Sequence, residues 1–220
     1  MHVHPRTAVL LALAALSGSV RAVQPAAPPR APDRSRELLD YRCSSDIGTR
    51  QVTLFANGTV RVREGLGKSP RMTLGELGPD ELTAFINRLG AEDLSEVQDT
   101  LGSAEGSWVE RCTLRLALDD RPARELHFAR YDSLPLAIAD LVRITDDMAG
   151  HAHALDELPL QYHPQPGDVL RRTDGVLFEV VGFTSDKQGV ELQGVEQPLV
   201  LYLQSDQLHG LFLELVSRRP

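Results

Sequence analysis

Lysine is nearly missing from this chain. Lys68 and Lys187 are the only two, and the other basic residues are arginines, a bias that carries no mechanistic inference. Cysteine appears twice, at Cys43 and Cys112, and tryptophan once, at Trp108. After the first twenty residues no apolar run is long enough to span a bilayer. Each absence excludes something. A formal net charge of −8 without a basic stripe argues against nucleic acid, because neutralising phosphates needs clustered Lys or Arg. There is no H-E-x-x-H, no G-x-S-x-G, no Walker-type loop and no G-x-G-x-x-G in a strand–helix setting. No repeat recurs at a fixed period. No cofactor is expected.

What is present begins with an address. Residues 1–22 read as a secretory signal peptide. Arg6 makes a weakly basic start, Thr7 to Leu16 form a short apolar run, and Val20-Arg21-Ala22 is a small-x-small cleavage site. An uncleaved anchor is the alternative. No cysteine follows the run, so a bacterial lipid anchor is not supported. Cleavage after Ala22 removes Arg6 and Arg21 and moves the formal charge from −8 to −10. The expected location is periplasmic or secreted, with no stable membrane span after cleavage. Residues 23–37, which open "VQPAAPPRAPDRSR", are too rich in Pro, Ala and Arg to bury a core, so a flexible linker is expected.

Residues 38–152 mix strand and helix signals. Leu39, Tyr41 and Cys43 alternate with polar residues, as do Val52, Leu54 and Ala56. Asn57-Gly58 is a hairpin signal, and Val60 and Val62 continue beyond it. "LGPDELTAFINRLG" has Pro79 where a helix starts, acids in its first turn, and a stripe of Leu82, Phe85, Ile86 and Leu89. Cys112, Leu114, Leu116 and Leu118 share one strand face, and Leu126 and Phe128 the next. Ser133 is placed to cap a last helix with Pro135 in its first turn and a stripe of Leu134, Ile138, Leu141, Val142 and Met148. The predicted order is β-β-α-β-β-α, with an extra strand near Met72. That is an α+β fold, an antiparallel sheet with two helices on one face.

A linker at residues 153–165 separates this from residues 166–218, which read as strands and turns throughout. Val169, Val176 to Phe183, Val190 to Leu192, Leu199 to Leu203 and Phe212 to Leu215 supply five strands, with a helical turn at Ser205–Leu208 before the last.

Two resemblances follow. "FANGTVRV", "LGPDELTAFINRL" and "ARYDSLPLAIADLV", in that order, resemble small α+β modules of the emfourin type of metalloprotease inhibitor, over about half of the chain. The resemblance implies a binding or inhibitory role and transfers no inhibitory residue. The C-terminal segment resembles a small all-β SH3-like barrel, a scaffold that hosts many functions.

Three constellations could carry chemistry. Cys43 and Cys112 both lie on the apolar parity of their strands. In an exported chain this favours one disulfide, with two buried thiols or a reactive thiol as alternatives. His151, His153 and His163 lie near Asp156 and Glu157 and could ligate a metal, but in a stretch that also reads as a solvated linker. The acidic doublets Asp119-Asp120 and Asp146-Asp147 suit turns and helix ends better than acid–base catalysis. Lastly, the polar parity of the first sheet would carry Arg61, Arg63, Arg111 and Arg115, with Thr53, Phe55, Thr113 and His127. Such a face can dock an acidic ligand or an envelope protein, or can be a solvated face laced with cross-strand ion pairs. The expectation is a non-catalytic exported binding protein, with inhibition of a protease or other envelope enzyme as one form of that binding. The alternatives are a metal-dependent hydrolase at the domain junction and a structural envelope component.

Overall fold

Alternation of apolar and polar residues becomes strand wherever a turn lets the chain return. In β1 (Glu37–Ser44), Leu39, Tyr41 and Cys43 are buried while Arg42 and Ser44 are exposed. Ser45 N–H donates to Gly48 C=O at 2.9 Å and reverses the chain into β2 (Thr49–Phe55). At Asn57-Gly58 the chain turns again. Gly58 has φ +87°, a left-handed conformation, and a Cβ there would lie 2.7 Å from Leu77 C=O. β3 (Thr59–Gly65) and β4 (Arg71–Glu76) complete a four-stranded meander. Four strands therefore precede the first helix, where the predicted order had two plus one near Met72. The tight turns at 45–48 and 56–58 resolve the extra pairings.

The description comes from a computed structural model and covers residues 35–66, 71–101, 110–118, 121–130, 133–152, 158–159, 161–185 and 188–218. The signal peptide, most of the N-terminal linker, Trp108, Asp119-Asp120, His153, Asp156, Glu157 and both lysines lie outside these residues. The end of the expected linker does not: Arg36 donates to Ala117 C=O at 3.0 Å, and its own C=O accepts from Ala56 N–H.

Helix α1 (Pro79–Ala91) follows β4, with Glu81 reaching back to Gly78 N–H at 2.9 Å. β5 (Arg111–Leu116) and β6 (Arg124–Ala129) form a hairpin, and α2 (Leu136–Ala149) follows. α2 begins later than expected. Pro135 is its flanking residue, its C=O accepting from Ile138 and Ala139 N–H, and among the described residues no side chain caps the end. The sheet order is β4-β3-β2-β1-β5-β6, antiparallel throughout. Phe85 and Leu89 of α1 and Ile138, Leu141, Ile144 and Met148 of α2 share one buried cluster with Leu39, Val52, Leu54, Leu114 and Leu126. Removing apolar area of this size from water is the main stabilising contribution to such a fold.

Cys43 and Cys112 face each other across β1 and β5 and form a disulfide inside this core. The predicted pairing is thus present. With a sequence separation of 69 between the cysteines, restriction of the unfolded chain contributes about 4 kcal/mol.

The second sheet contains β7 (Asp168–Arg172), β8 (Leu177–Phe183), β9 (Gly189–Gly194), β10 (Val200–Gln204) and β11 (Phe212–Arg218), in the order β10-β9-β8-β7-β11. A 3-10 turn at Ser205–Gln207 and the short α3 (Leu208–Leu211) lead into the last strand, where one helical turn was expected. Leu170, Phe178, Val180, Val190, Leu192 and Phe212 form its core.

Both sheets belong to one compact unit. They touch through the β7–β8 turn. Asn57 Nδ2 donates to Asp174 C=O at 2.9 Å, and Arg171 pairs with Glu76. Gly175, at φ +80°, lies so close to Thr59 that a Cβ would fall 1.9 Å from its Oγ1. Leu74, at 2% exposure and opposite Arg61 in the β3–β4 ladder, is buried on the face that the sequence pattern leaves polar. No helix among the described residues is long and apolar enough to cross a membrane.

Candidate functional site

The polar face of the first sheet is built by register. One row runs Leu74, Arg61, Thr53, Asp40, Arg115, Glu125 across the six strands, and the next runs Met72, Arg63, Gln51, Arg42, Thr113, His127. Side chains in a row stand near enough for cross-strand contact. Asp40 and Glu125 are the two acids of these rows, beside the four arginines Arg61, Arg115, Arg63 and Arg42.

The four predicted arginines do not form one open patch. Arg61 turns under the second sheet. Its side chain is 11% exposed, its guanidinium lies 4.9 Å over the Phe55 ring, and it donates to Thr173 C=O at 3.4 Å and Thr53 Oγ1 at 3.3 Å. Burial lowers its pKa, and neighbouring Arg63 pushes the same way against Glu37 and Asp40. A guanidinium still remains charged under these conditions. The Nε atoms of Arg61 and Arg63 are both buried without a hydrogen-bond partner among the described residues. Arg61 belongs to the contact between the sheets, because the β7–β8 turn settles on that end of the face.

Arg115 stands at the other end. It is 50% exposed and 3.9 Å from Glu37, whose carboxylate also lies 3.5 Å from Arg61. Arg111 is exposed at the end of β5, opposite Ser44. Between them on β1 stands Arg42, 61% exposed and 4.0 Å from Asp40. Sequence reading passed over Arg42, although it alternates with Tyr41 and Cys43 and so must share the face. Asp40 is otherwise occupied, accepting from Gln51 Nε2 at 2.5 Å and Thr53 Oγ1 at 3.0 Å. Thr113 and His127 are joined at 3.3 Å, and His127 lies 3.3 Å from Glu125. The open end of the face thus offers Arg42, Arg111 and Arg115 on two adjacent strands, with hydroxyl and imidazole groups beside them.

The remaining candidates resolve differently. Asp146 pairs with Arg50 and, at 3.4 Å, with Arg130, while Arg50 also holds Glu64 at 2.8 Å. This network closes the core beside Tyr41, whose hydroxyl lies 3.6 Å from Cys112 Sγ and whose pKa burial pushes up to about 12. Asp147 pairs with Arg88 at 2.9 Å. Both acids of the doublet are structural partners.

His151 packs edge-on against Phe85 at 5.8 Å, and among the described residues no group of three or more His, Cys, Asp or Glu could hold a metal. A buried polar cluster in the second sheet escaped sequence reading. Asp168, fully buried, accepts from Arg218 Nε at 2.8 Å and Nη2 at 2.9 Å, from Tyr162 Oη at 2.7 Å and from Gln165 N–H at 3.0 Å. Burial alone would raise its carboxyl, but these hydrogen bonds outweigh it and hold the group below the usual carboxylate range. A cavity of about 520 Å³ lies at the end of α1, lined by Leu38, Ala56, Ile86 and Leu118 beside Arg36 and Arg121.

No family model, no curated protein and no solved structure matches this chain.

Proposed function

We propose that this is a non-catalytic, exported binding protein, periplasmic or secreted, that docks an acidic surface of an envelope protein on the open end of its polar sheet face. The observation that carries the reading is the exposure of Arg42, Arg111 and Arg115 on adjacent strands, on the part of the face away from the β7–β8 turn. Arginines in that setting suit carboxylates, since the planar fork can donate two parallel hydrogen bonds. Inhibition of a protease or other envelope enzyme is the form of binding that the emfourin-type resemblance suggests.

Two finer points of architecture belong to the same reading. Both helices cover one face of the six-stranded sheet, supported by their shared cluster with the apolar strand residues. The C-terminal unit is an SH3-like barrel, supported by the strand order and by the 3-10 turn before the last strand.

The test is capture from an envelope extract with the protein and with a variant carrying Arg42→Ser, Arg111→Ser and Arg115→Ser. The expected outcome is an acidic partner retained by the first and released by the second, with affinity falling further as salt rises. Equal retention by both forms removes the reading.

A further inference from the structure

Asn57 and Asn87 are the only asparagines of the chain, and Asn57 alone is followed by glycine. In such a pair the glycine nitrogen, with no side chain beside it, can reach the carbonyl carbon of the asparagine side chain and close a five-membered ring. The fold sets this pair at the place where the sheets touch. Asn57-Gly58 forms the turn between β2 and β3, and the turn between β7 and β8 is seated on it through Asp174 and Gly175.

Three hydrogen bonds hold the pair apart. Asn57 Nδ2 donates to Asp174 C=O at 2.9 Å, Asn57 Oδ1 accepts from Thr59 N–H at 3.0 Å, and Gly58 N–H donates to Phe55 C=O at 3.0 Å. Ring closure needs the Gly58 nitrogen to lose its proton and the side chain to rotate onto it. The donated N–H opposes the first, and the side chain anchored at both ends opposes the second. Gly58 and Thr59 are buried, and Gly175 fits against Thr59 only because it lacks a Cβ. The amide is therefore released only when the β7–β8 turn lifts. Asp174-Gly175 is the chain's one Asp-Gly pair, but its side chain is held by Arg172 Nε at 2.8 Å, and a carboxylate is a poor electrophile. Asn57 is the reactive member of the two turns.

We propose that Asn57 is a deamidation site protected by the contact between the sheets, and that its modification releases that contact irreversibly. When the β7–β8 turn lifts, the Gly58 nitrogen gives its proton to solvent base and attacks Asn57 Cγ. The N–Cγ bond forms, the Cγ–Nδ2 bond breaks, and the amide nitrogen leaves as ammonia. Water then adds to one of the two ring carbonyls and opens the ring to aspartate or isoaspartate, with no oxidant or reductant involved. Neither product can take up the old seat. Aspartate sets a carboxylate oxygen where Nδ2 donated, acceptor against the acceptor Asp174 C=O. Isoaspartate routes the main chain through the former side chain and lengthens a turn whose Gly58 C=O also accepts from Leu77 N–H at 2.9 Å. Arg61, which donates to Thr173 C=O in the same contact, then loses its cover. The site lies at the junction and stands independently of the open end of the arginine face.

Peptide-level mass spectrometry of the purified protein, incubated at mildly alkaline pH, tests it, because exchange of amide for acid changes the mass. Asn57 is expected to deamidate at least about tenfold more slowly in the native chain than in the denatured one, since reaction at a transiently opened segment follows its open population. Gly175→Ala crowds Thr59 and is expected to speed Asn57 at least about tenfold under native conditions, leaving Asn87 on α1 unchanged. Asn57→Asp supplies one product directly. Hydrogen exchange is expected to show protection lost around Thr59 and Val176 in this variant, with the β1–β5 ladder intact. A native rate equal to the denatured rate, an Asn57 rate indifferent to Gly175→Ala, equal acceleration of Asn57 and Asn87, or full protection around Thr59 in Asn57→Asp overturns the proposal.

Discussion

The two sheets solve the problem of their outer surfaces in opposite ways. The six-stranded sheet lines one face with buried leucines and covers the other with paired charges, so that Glu37, Asp40 and Glu125 each stand within reach of an arginine or histidine. The five-stranded sheet has a smaller core and leaves Val181, Phe183, Val195, Val200 and Tyr202 exposed. A solvated charge network needs no partner to be stable, whereas apolar exposure concentrated on one small sheet marks a contact surface. The first sheet therefore holds its fold by core and disulfide, and the second by its smaller core and the buried Asp168–Arg218 pair.

The largest expected effect tests the first half of that contrast. Replacing both cysteines, Cys43→Ala with Cys112→Ala, is expected to cost about 4 kcal/mol, because the unfolded chain regains the freedom of the closed loop. Denaturant unfolding monitored by segment-resolved hydrogen exchange should show the loss at β1, β5 and β2 first. Loss confined to β7–β11 instead would reverse the comparison.

A smaller effect is expected where the sheets meet. Gly175→Ala forces a side chain into a left-handed position and against Thr59, at a cost of about 2 kcal/mol. Exchange protection should fall in the β7–β8 turn and around Thr59 and Arg61, with the Tyr41 region unchanged. Equal protection in both proteins would show that the turn is not seated on β3.

The smallest of these effects is the pH dependence that Asp168 carries. Its carboxyl is held below the ordinary value of about 3.9, so its contribution is fully present above that value and is lost as pH falls through the folded value. On acidification β7–β11 should lose protection more steeply in the native chain than in Asp168→Asn, which no longer has a carboxylate to protonate. Parallel pH profiles for the two would remove this role.

Local pattern made much of this readable. Strand alternation placed Cys43 and Cys112 on one apolar parity, and their pairing needs only that β1 and β5 be neighbours. Pro79, the acids after it and the Leu82–Leu89 stripe made α1 legible, as the spaced turns did for β7–β11. The fate of Arg61 was not legible. Its neighbours in sequence predict a solvent-facing strand residue, but Thr173, 112 positions away, closes over it. Asp146 lies in the last turn of α2, as its sequence setting suggests, but its pairing with Arg50, 96 positions away, was not legible. Asp168 shows no local sign of burial, and its partner Arg218 lies 50 positions on. Register and parity are written locally, whereas the covering of a face is decided by which distant turn lands on it.

The bond between Cys43 and Cys112 also fixes how the molecule bears load. A pull applied at the two ends of the chain passes from β1 to β5 through the sulfurs and bypasses everything between. β2, β3, β4 and α1 sit in that bypass, so tension reaches them only if the bond is reduced. With the cysteines 69 positions apart, the oxidised chain stretches about 230 Å less than the reduced one. The redox state of one cross-strand pair thus sets the molecule's contour length.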